Sequence, residues 1–130
     1  MKLMSFSLAG AALLASMSAS MAQDAAAGEK VFFAKCKICH MPPEAAKNLV
    51  GPSLAGVVGR KAGTAPGYHY SDANKNSGIT WDEATLKEYL KNPQKMVPGT
   101  KMVFPGLESD EDIANVIAYL KQFGPDGKKI

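Results

Sequence analysis

The chain has 130 residues, 46% of them apolar, with 15 Lys and Arg against 12 Asp and Glu for a formal charge of +3. That length holds one domain at most, the charge is too small for the basic stripe of a nucleic-acid binder, and 21% charged residues beside ordinary aromatic content is not the make-up of a disordered chain. Two cysteines are too few for the disulfide framework of a small secreted scaffold, so cohesion has to come from elsewhere.

In chain order, Lys2 precedes an uncharged, mostly apolar run from Leu3 to about Met17, followed by small residues ending Ser20-Met21-Ala22. A charged start, an apolar middle and a small-residue cleavage site read as a secretory signal peptide, 1–22, cut between Ala22 and Gln23. The competing reading, a retained membrane anchor, is weaker because the run is short for a full span. Residues 23–130 are then an exported, periplasmic domain in an oxidising compartment.

Three main helices follow from caps and periodicity. The first starts after Asp24 as N-cap and runs from Ala25 to about Lys37, with Gly28 and Phe32 on one face. Thr80 with Glu83 three residues on reads as a capping box for the second, in which Leu86, Tyr89 and Leu90 line one side until Asn92 meets Pro93. The third begins at Ser109 and carries Ile113, Val116, Ile117 and Leu120 at helical spacing, with Gly124-Pro125 as its stop. A shorter helical turn is expected at Ser71. No stretch alternates as a strand would, and no repeat is visible.

The segments between the helices are the puzzle. Met41 to Tyr70 is rich in Gly and Pro without any period, and a second loop, Pro93 to Leu107, contains Pro98-Gly99 and Pro105-Gly106. Compact domains seldom carry loops of that length without a reason. Three short helices and two long loops do not close a core alone, so a large buried non-protein group would account for them.

Cys36-Lys37-Ile38-Cys39-His40 supplies a candidate, because C-x-x-C-H is the attachment sequence for c-type haem. Two thiols at this spacing can add across the two vinyl groups of one porphyrin edge, and the adjacent His can reach under the ring to bind iron. A thioredoxin-like pair would need a βαβ context and leaves His40 unexplained; a zinc site would need four ligands. A plain disulfide is the blandest alternative. For the second iron ligand the candidates are His69, Met41, Met96 and Met102. Met41 is adjacent to His40 and cannot reach the opposite face, and Met96 sits just past a helix end, where core packing is the commoner role. Met102 lies in a loop held by turns and is favoured; its thioether is a soft donor that raises potential relative to His.

With these residues in place, the chain resembles the class I c-type cytochromes, specifically the bacterial cytochrome c2 and mitochondrial cytochrome c branch. The resemblance rests on Cys36 to His40; Gly51-Pro52-Ser53-Leu54 with Gly59-Arg60-Lys61; Tyr70 to Asn76; Gly78-Ile79-Thr80-Trp81; Tyr89 to Pro93; Pro98 to Met102; and Ile117-Ala118-Tyr119-Leu120. It covers nearly all of the chain after the leader, in order. It implies a small all-α fold of three main helices and long loops wrapped around one covalent haem c, joined through Cys36 and Cys39 and ligated by His40 and Met102. That ligand pair is what the resemblance implies for this family, not a separate derivation.

Further roles are implied in the same way. The Pro52 carbonyl should accept the His40 ring N–H and fix its tautomer. Arg60, Tyr70, Asn74 and Trp81 should surround the haem propionates. Tyr89 and Thr100 should form the hydrogen-bond network near the Met102 sulfur, Phe104 should close the haem edge, and Gly28 and Phe32 should meet Val116 and Tyr119 where the terminal helices cross. Without the resemblance, Arg60 and Tyr70 would read as loop surface; Trp81 is the one residue of the set for which the plain structural reading, helix core, is not favoured. Lys30, Lys35, Lys47, Lys95 and Lys101 form a partial ring for redox partners, but positions 49 and 94 are Leu49 and Gln94, and Glu108 to Asp112 is acidic. Docking should therefore depend less on salt than in a strongly basic relative. The implied function is a monomeric, soluble one-electron carrier rather than an enzyme, meeting membrane complexes transiently, for example between a bc1 complex and a reaction centre or oxidase. The alternative is a haem-based ligand-binding or peroxidatic protein in which the Met ligand dissociates.

Overall fold

The computed structural model describes Gly10 and residues 23–130; the expected leader, 1–22, otherwise lies outside the described residues. The order is α1 (Ala25–Lys35), a 3₁₀ turn (Pro43–Ala45), α2 (Asp72–Lys75), α3 (Glu83–Lys91), α4 (Pro93–Met96) and α5 (Asp110–Lys121). Among the described residues, pairing between extended segments is limited to two isolated antiparallel bridges, Lys61 with Thr80 and Phe123 with Lys129. No described helix is long and apolar enough to cross a membrane.

The caps explain where the helices start. The Asp24 carboxylate accepts the N–H groups of Ala26 and Ala27, Ser71 accepts that of Asn74, and Ser109 accepts that of Asp112, each satisfying a donor the helix cannot. At α3 the expected Thr80 box is corrected: Asp82 is the cap and accepts the Thr85 N–H, because Thr80 is held in extended pairing with Lys61. The first helix also stops at Lys35 rather than Lys37, since the N–H groups of Cys36 and Lys37 both donate to the Phe32 carbonyl and tighten the chain into a turn. The loop from Pro93 contains a helical turn, α4, that periodicity did not announce. Pro93 supplies its first position and Asn92 caps it by accepting the Lys95 N–H.

The core is built where α1 crosses α5. A Cβ at Gly28 would lie 1.8 Å from the Asn115 carbonyl oxygen, so only glycine lets the two backbones approach this closely. The Asn115 side chain accepts the Asp24 N–H at 2.9 Å. Phe32 meets Tyr119 with ring centroids 5.5 Å apart, and Phe32 and Ile113 are fully buried. Burial of such a side chain contributes about 1.5–3 kcal/mol. The third helix adds Leu86, Tyr89 and Leu90 to the same core.

The long loop is stapled rather than packed by period. Ala62 N–H donates to Ile79, Gly59 N–H to Trp81, and Trp81 N–H to Arg60, which fixes residues 59–62 against the segment leading into α3. Asn48 bridges two further parts of the loop, donating to the Pro66 carbonyl at 2.9 Å and accepting the Ser53 N–H at 2.8 Å.

Candidate functional site

The turn that ends α1 presents Cys36 and Cys39 as free, half-buried thiols one turn apart, with His40 directly after them. The N–H groups of Cys39 and His40 both donate to the Cys36 carbonyl. Burial, and secondarily Cys39, pushes the Cys36 thiol up to about 11, so it is a neutral thiol at pH 7. His40 is buried, and its Nδ1 lies 2.9 Å from the Pro52 carbonyl oxygen. A carbonyl only accepts, so Nδ1 carries the proton and Nε2 is left with its lone pair. Burial is the main force holding the imidazole below its ordinary value; the Pro52 carbonyl opposes that shift and the Arg60 guanidinium adds to it. Gly51 closes this side, because its N–H donates to the Cys39 carbonyl at 2.7 Å and a Cβ there would meet the His40 ring at 2.4 Å.

Met102 is held by three different side chains. The Tyr89 hydroxyl donates to its sulfur at 3.2 Å, Thr100 Oγ1 accepts its N–H at 3.2 Å, and Gln94 Nε2 donates to its carbonyl at 2.8 Å. Tyr89 in turn is buried with its ring 4.6 Å from that of Trp81. Burial raises the Tyr89 phenol above its ordinary value, against the Thr100 hydrogen bond, so the hydroxyl remains a donor at neutral pH. Phe104 follows in the same loop, half-buried against the core, with its N–H on the Met102 carbonyl.

Three of the other expected residues carry polar groups. The Tyr70 hydroxyl accepts the Ala65 N–H at 2.9 Å, leaving its own proton available. Arg60 Nη1 donates to the Ala55 carbonyl, while Arg60 Nε and Asn74 Oδ1 are buried and have no partner. The segment after Arg60 lies against α2, since a Cβ at Gly63 would meet Lys75 Cα at 2.9 Å. Buried polar atoms without partners are costly, about 1–3 kcal/mol each; the Arg60 Nε–H is a donor that calls for an acceptor, whereas Asn74 Oδ1 is itself an acceptor. Free thiols at C-x-x-C spacing, an imidazole nitrogen with a bare lone pair, a thioether, the unpaired Arg60 Nε–H and the Tyr70 O–H together fit haem: two points for covalent attachment, two soft or borderline iron donors, and two hydrogen-bond donors for an acidic edge.

His69 is exposed, and its carbonyl accepts the Lys101 ammonium; Met96 is packed half-buried against the core. Lys30, Lys35, Lys47, Lys95 and Lys101 are all exposed. Sequence reasoning missed Gln94, noted only as a lost lysine, and Asn48; neither sits in a motif or period that marks it. The contact of Gly51 with the imidazole was legible only as a Gly-Pro pair.

Comparison with known proteins places the chain in a family. The Cytochrome c family matches residues 25–124. Cytochrome c2 of Rhodoblastus acidophilus is 63% identical over 108 residues, covering 83% of this chain and 100% of the relative, and cytochrome c-554 of Methylosinus trichosporium is 63% identical over 108 residues, covering 83% and 81%. The solved structure of cytochrome cH from Methylobacterium extorquens superposes with a TM-score of 0.71 at 58% identity, covering 75% of this chain and 97% of that one. A matching family over most of the chain, a helical fold without strands among the described residues, and thiols at the attachment spacing converge: the chain belongs to the cytochrome c family, as a class I c-type cytochrome carrying covalent haem c on Cys36 and Cys39.

Proposed function

We propose that this protein is a soluble periplasmic one-electron carrier, released from its 1–22 leader on export, in which His40 and Met102 would hold the haem iron. The observation that carries the reading is the pair of hydrogen bonds behind the two donors. Pro52 occupies His40 Nδ1 and leaves Nε2 to bind iron, and Tyr89 occupies one lone pair of the Met102 sulfur and leaves the other. When bound, the haem supplies a one-electron Fe(III)/Fe(II) couple.

Each remaining residue orients or shields. Pro52 fixes the His40 tautomer and strengthens it as a donor. Thr100 and Gln94 hold the Met102 backbone, and Phe104 covers the haem edge. Arg60, Tyr70, Asn74 and Trp81 direct donors at the propionates and offset the cost of burying them. With His40 and Met102 both holding the iron, the residues present would leave no open place for a substrate, which favours a carrier over an enzyme. The five exposed lysines form the partial ring on which a redox partner docks as the monomeric carrier passes between membrane complexes, a bc1 complex and a reaction centre or oxidase being the kinds expected. Relatives named cytochrome c2 support this.

The test is to mix the purified ferric holoprotein with imidazole and with peroxide while recording its voltammetric response. A reversible one-electron wave, slow imidazole binding limited by loss of a protein ligand, and no peroxide turnover are expected. Rapid ligand binding at neutral pH with peroxide turnover would instead make it a ligand-binding or peroxidatic protein.

A further inference from the structure

Beyond α5 the chain does not trail away. Residues 122–130 close on themselves: Ile130 N–H donates to the Gln122 carbonyl, Gly124 N–H to Lys128, Gly127 N–H to Gly124, and the Asp126 carboxylate accepts the Lys128 N–H. Phe123, 2% exposed, anchors this loop in the core. Two glycine contacts then fix it against the haem-bearing part of the chain. A Cβ on Gly127, at φ +81°, would lie 2.6 Å from the Glu44 carbonyl oxygen, so the tail's backbone rests on the 3₁₀ turn that follows His40. A Cβ on Gly56 would lie 2.8 Å from the Pro125 nitrogen, so the tail also rests on the turn before Arg60.

The second contact leads to the haem site. Gly56 adjoins Ala55, whose carbonyl accepts Arg60 Nη1 at 3.1 Å. Arg60 and Gly56 share the lining of a cleft of about 350 Å³ with Phe123, Gly124, Pro125 and Ile130. The guanidinium is tied to its own turn through Ala55, next to the Gly56 on which the tail rests, and its Nε is buried without a partner. A cation held in a poorly hydrated place acts more strongly on a neighbouring charge than one free to swing into water.

We propose that residues 122–130 are a positioning element for the haem's polar end: by pressing Pro125 on Gly56 they hold the 55–60 turn, keep the Arg60 guanidinium in place, and so raise the reduction potential. This rests on the reading of Arg60 as a propionate partner. A fixed cation beside the haem favours the reduced iron, so loosening it lowers the potential.

The test is a thermodynamic cycle on the holoprotein. The midpoint potential is measured for a chain ending at Phe123 and for Gly127→Ala, each with Arg60 intact and with Arg60→Ala, alongside Tm and exchange of the Arg60 Nε–H. Both tail variants should lower the potential and speed the exchange when Arg60 is present, and neither should lower the potential further once it is Ala. An equal fall in both backgrounds, or a lower Tm with an unchanged potential, overturns the proposal. If Arg60→Ala alone leaves the potential unmoved, the propionate reading is what fails, and with it the effect on potential; unchanged Nε–H exchange would remove the positioning role as well. Should the shortened chain fail to assemble, Gly127→Ala decides by the same criteria.

Discussion

On the His40 side of the haem site the restraints are main chain: the Pro52 carbonyl on Nδ1, the back of Gly51 against the ring, and the Cys36 carbonyl under the His40 N–H. On the Met102 side they are mostly side chains, Tyr89, Thr100 and Gln94, of which the exposed Gln94 can let go by a rotamer change, and Val103 beside them is 95% exposed. A main-chain grip is released only by moving a segment that is itself hydrogen-bonded. A net hydrogen bond from a side chain is worth about 0.5–1.5 kcal/mol, so the Met102 side can be dismantled in small steps. The two side chains are therefore held with different stiffness, His40 more firmly than Met102.

Breaking the stiff side should have the largest effect. Gly51→Ala puts a Cβ where the imidazole is, 2.4 Å from its Cε1, with the ring pinned behind by Pro52. Overpacking of that kind costs about 1–3 kcal/mol, and the upper end is expected here because neither neighbour is a flexible chain end. Chemical unfolding of the holoprotein, compared with the parent, reads it. Tyr89→Phe on the soft side removes one hydrogen bond to the Met102 sulfur and should cost about 1 kcal/mol, with weaker Met-to-iron absorption but retained haem. If Tyr89→Phe proved as damaging as Gly51→Ala, the contrast in stiffness would be gone.

Alkaline titration sharpens the comparison only if loss of Met102 is separated from loosening elsewhere. Burial, then Glu44 and Glu29, pushes the Tyr119 phenol up to about 12. The unfolded chain ionises this phenol first, near its ordinary value of 10, so the folded state loses stability as pH rises from 10 towards 12. The Tyr119 hydroxyl is buried without a partner, hence Tyr119→Phe should be close to neutral at pH 7 and should flatten the stability loss in that window. A steeper alkaline loss in the variant would contradict this. The smallest effect belongs to the exposed pair Lys91 and Asp110, 2.9 Å apart, beside the end of the Met102 loop. Lys91 holds the Asp110 carboxyl below the usual range, so its contribution is present above the ordinary carboxylate value and lost as pH falls below it. Asp110→Asn should lower Tm slightly in dilute buffer and not at all in concentrated salt.

What the sequence discloses follows the same division. The α5 start at Ser109 and the buried side of α3, Leu86, Tyr89 and Leu90, are legible because caps and a period of 3.6 are local physics. The cap at α3 was misread because Thr80 is recruited by Lys61, a partner nineteen residues away that no local rule foresees. The turn α4 is four residues long and has too few positions to display a period. The attachment motif could be read from chemistry and resemblance, whereas Asn48 and Gln94 act through isolated hydrogen bonds across the loops and leave no pattern. The tail's grip on Gly56 and Glu44 was equally hidden, since glycine spacing says nothing about what lies against it.

The central claim is that Met102, not Met96, completes the iron's coordination opposite His40. The most direct measurement is the Met-to-iron charge-transfer band of the ferric holoprotein in Met102→Ala and in Met96→Ala. The account predicts that the band is present in the parent and in Met96→Ala and absent from Met102→Ala, with haem still covalently attached in all three; a band that survives Met102→Ala, or disappears with Met96→Ala, would contradict it.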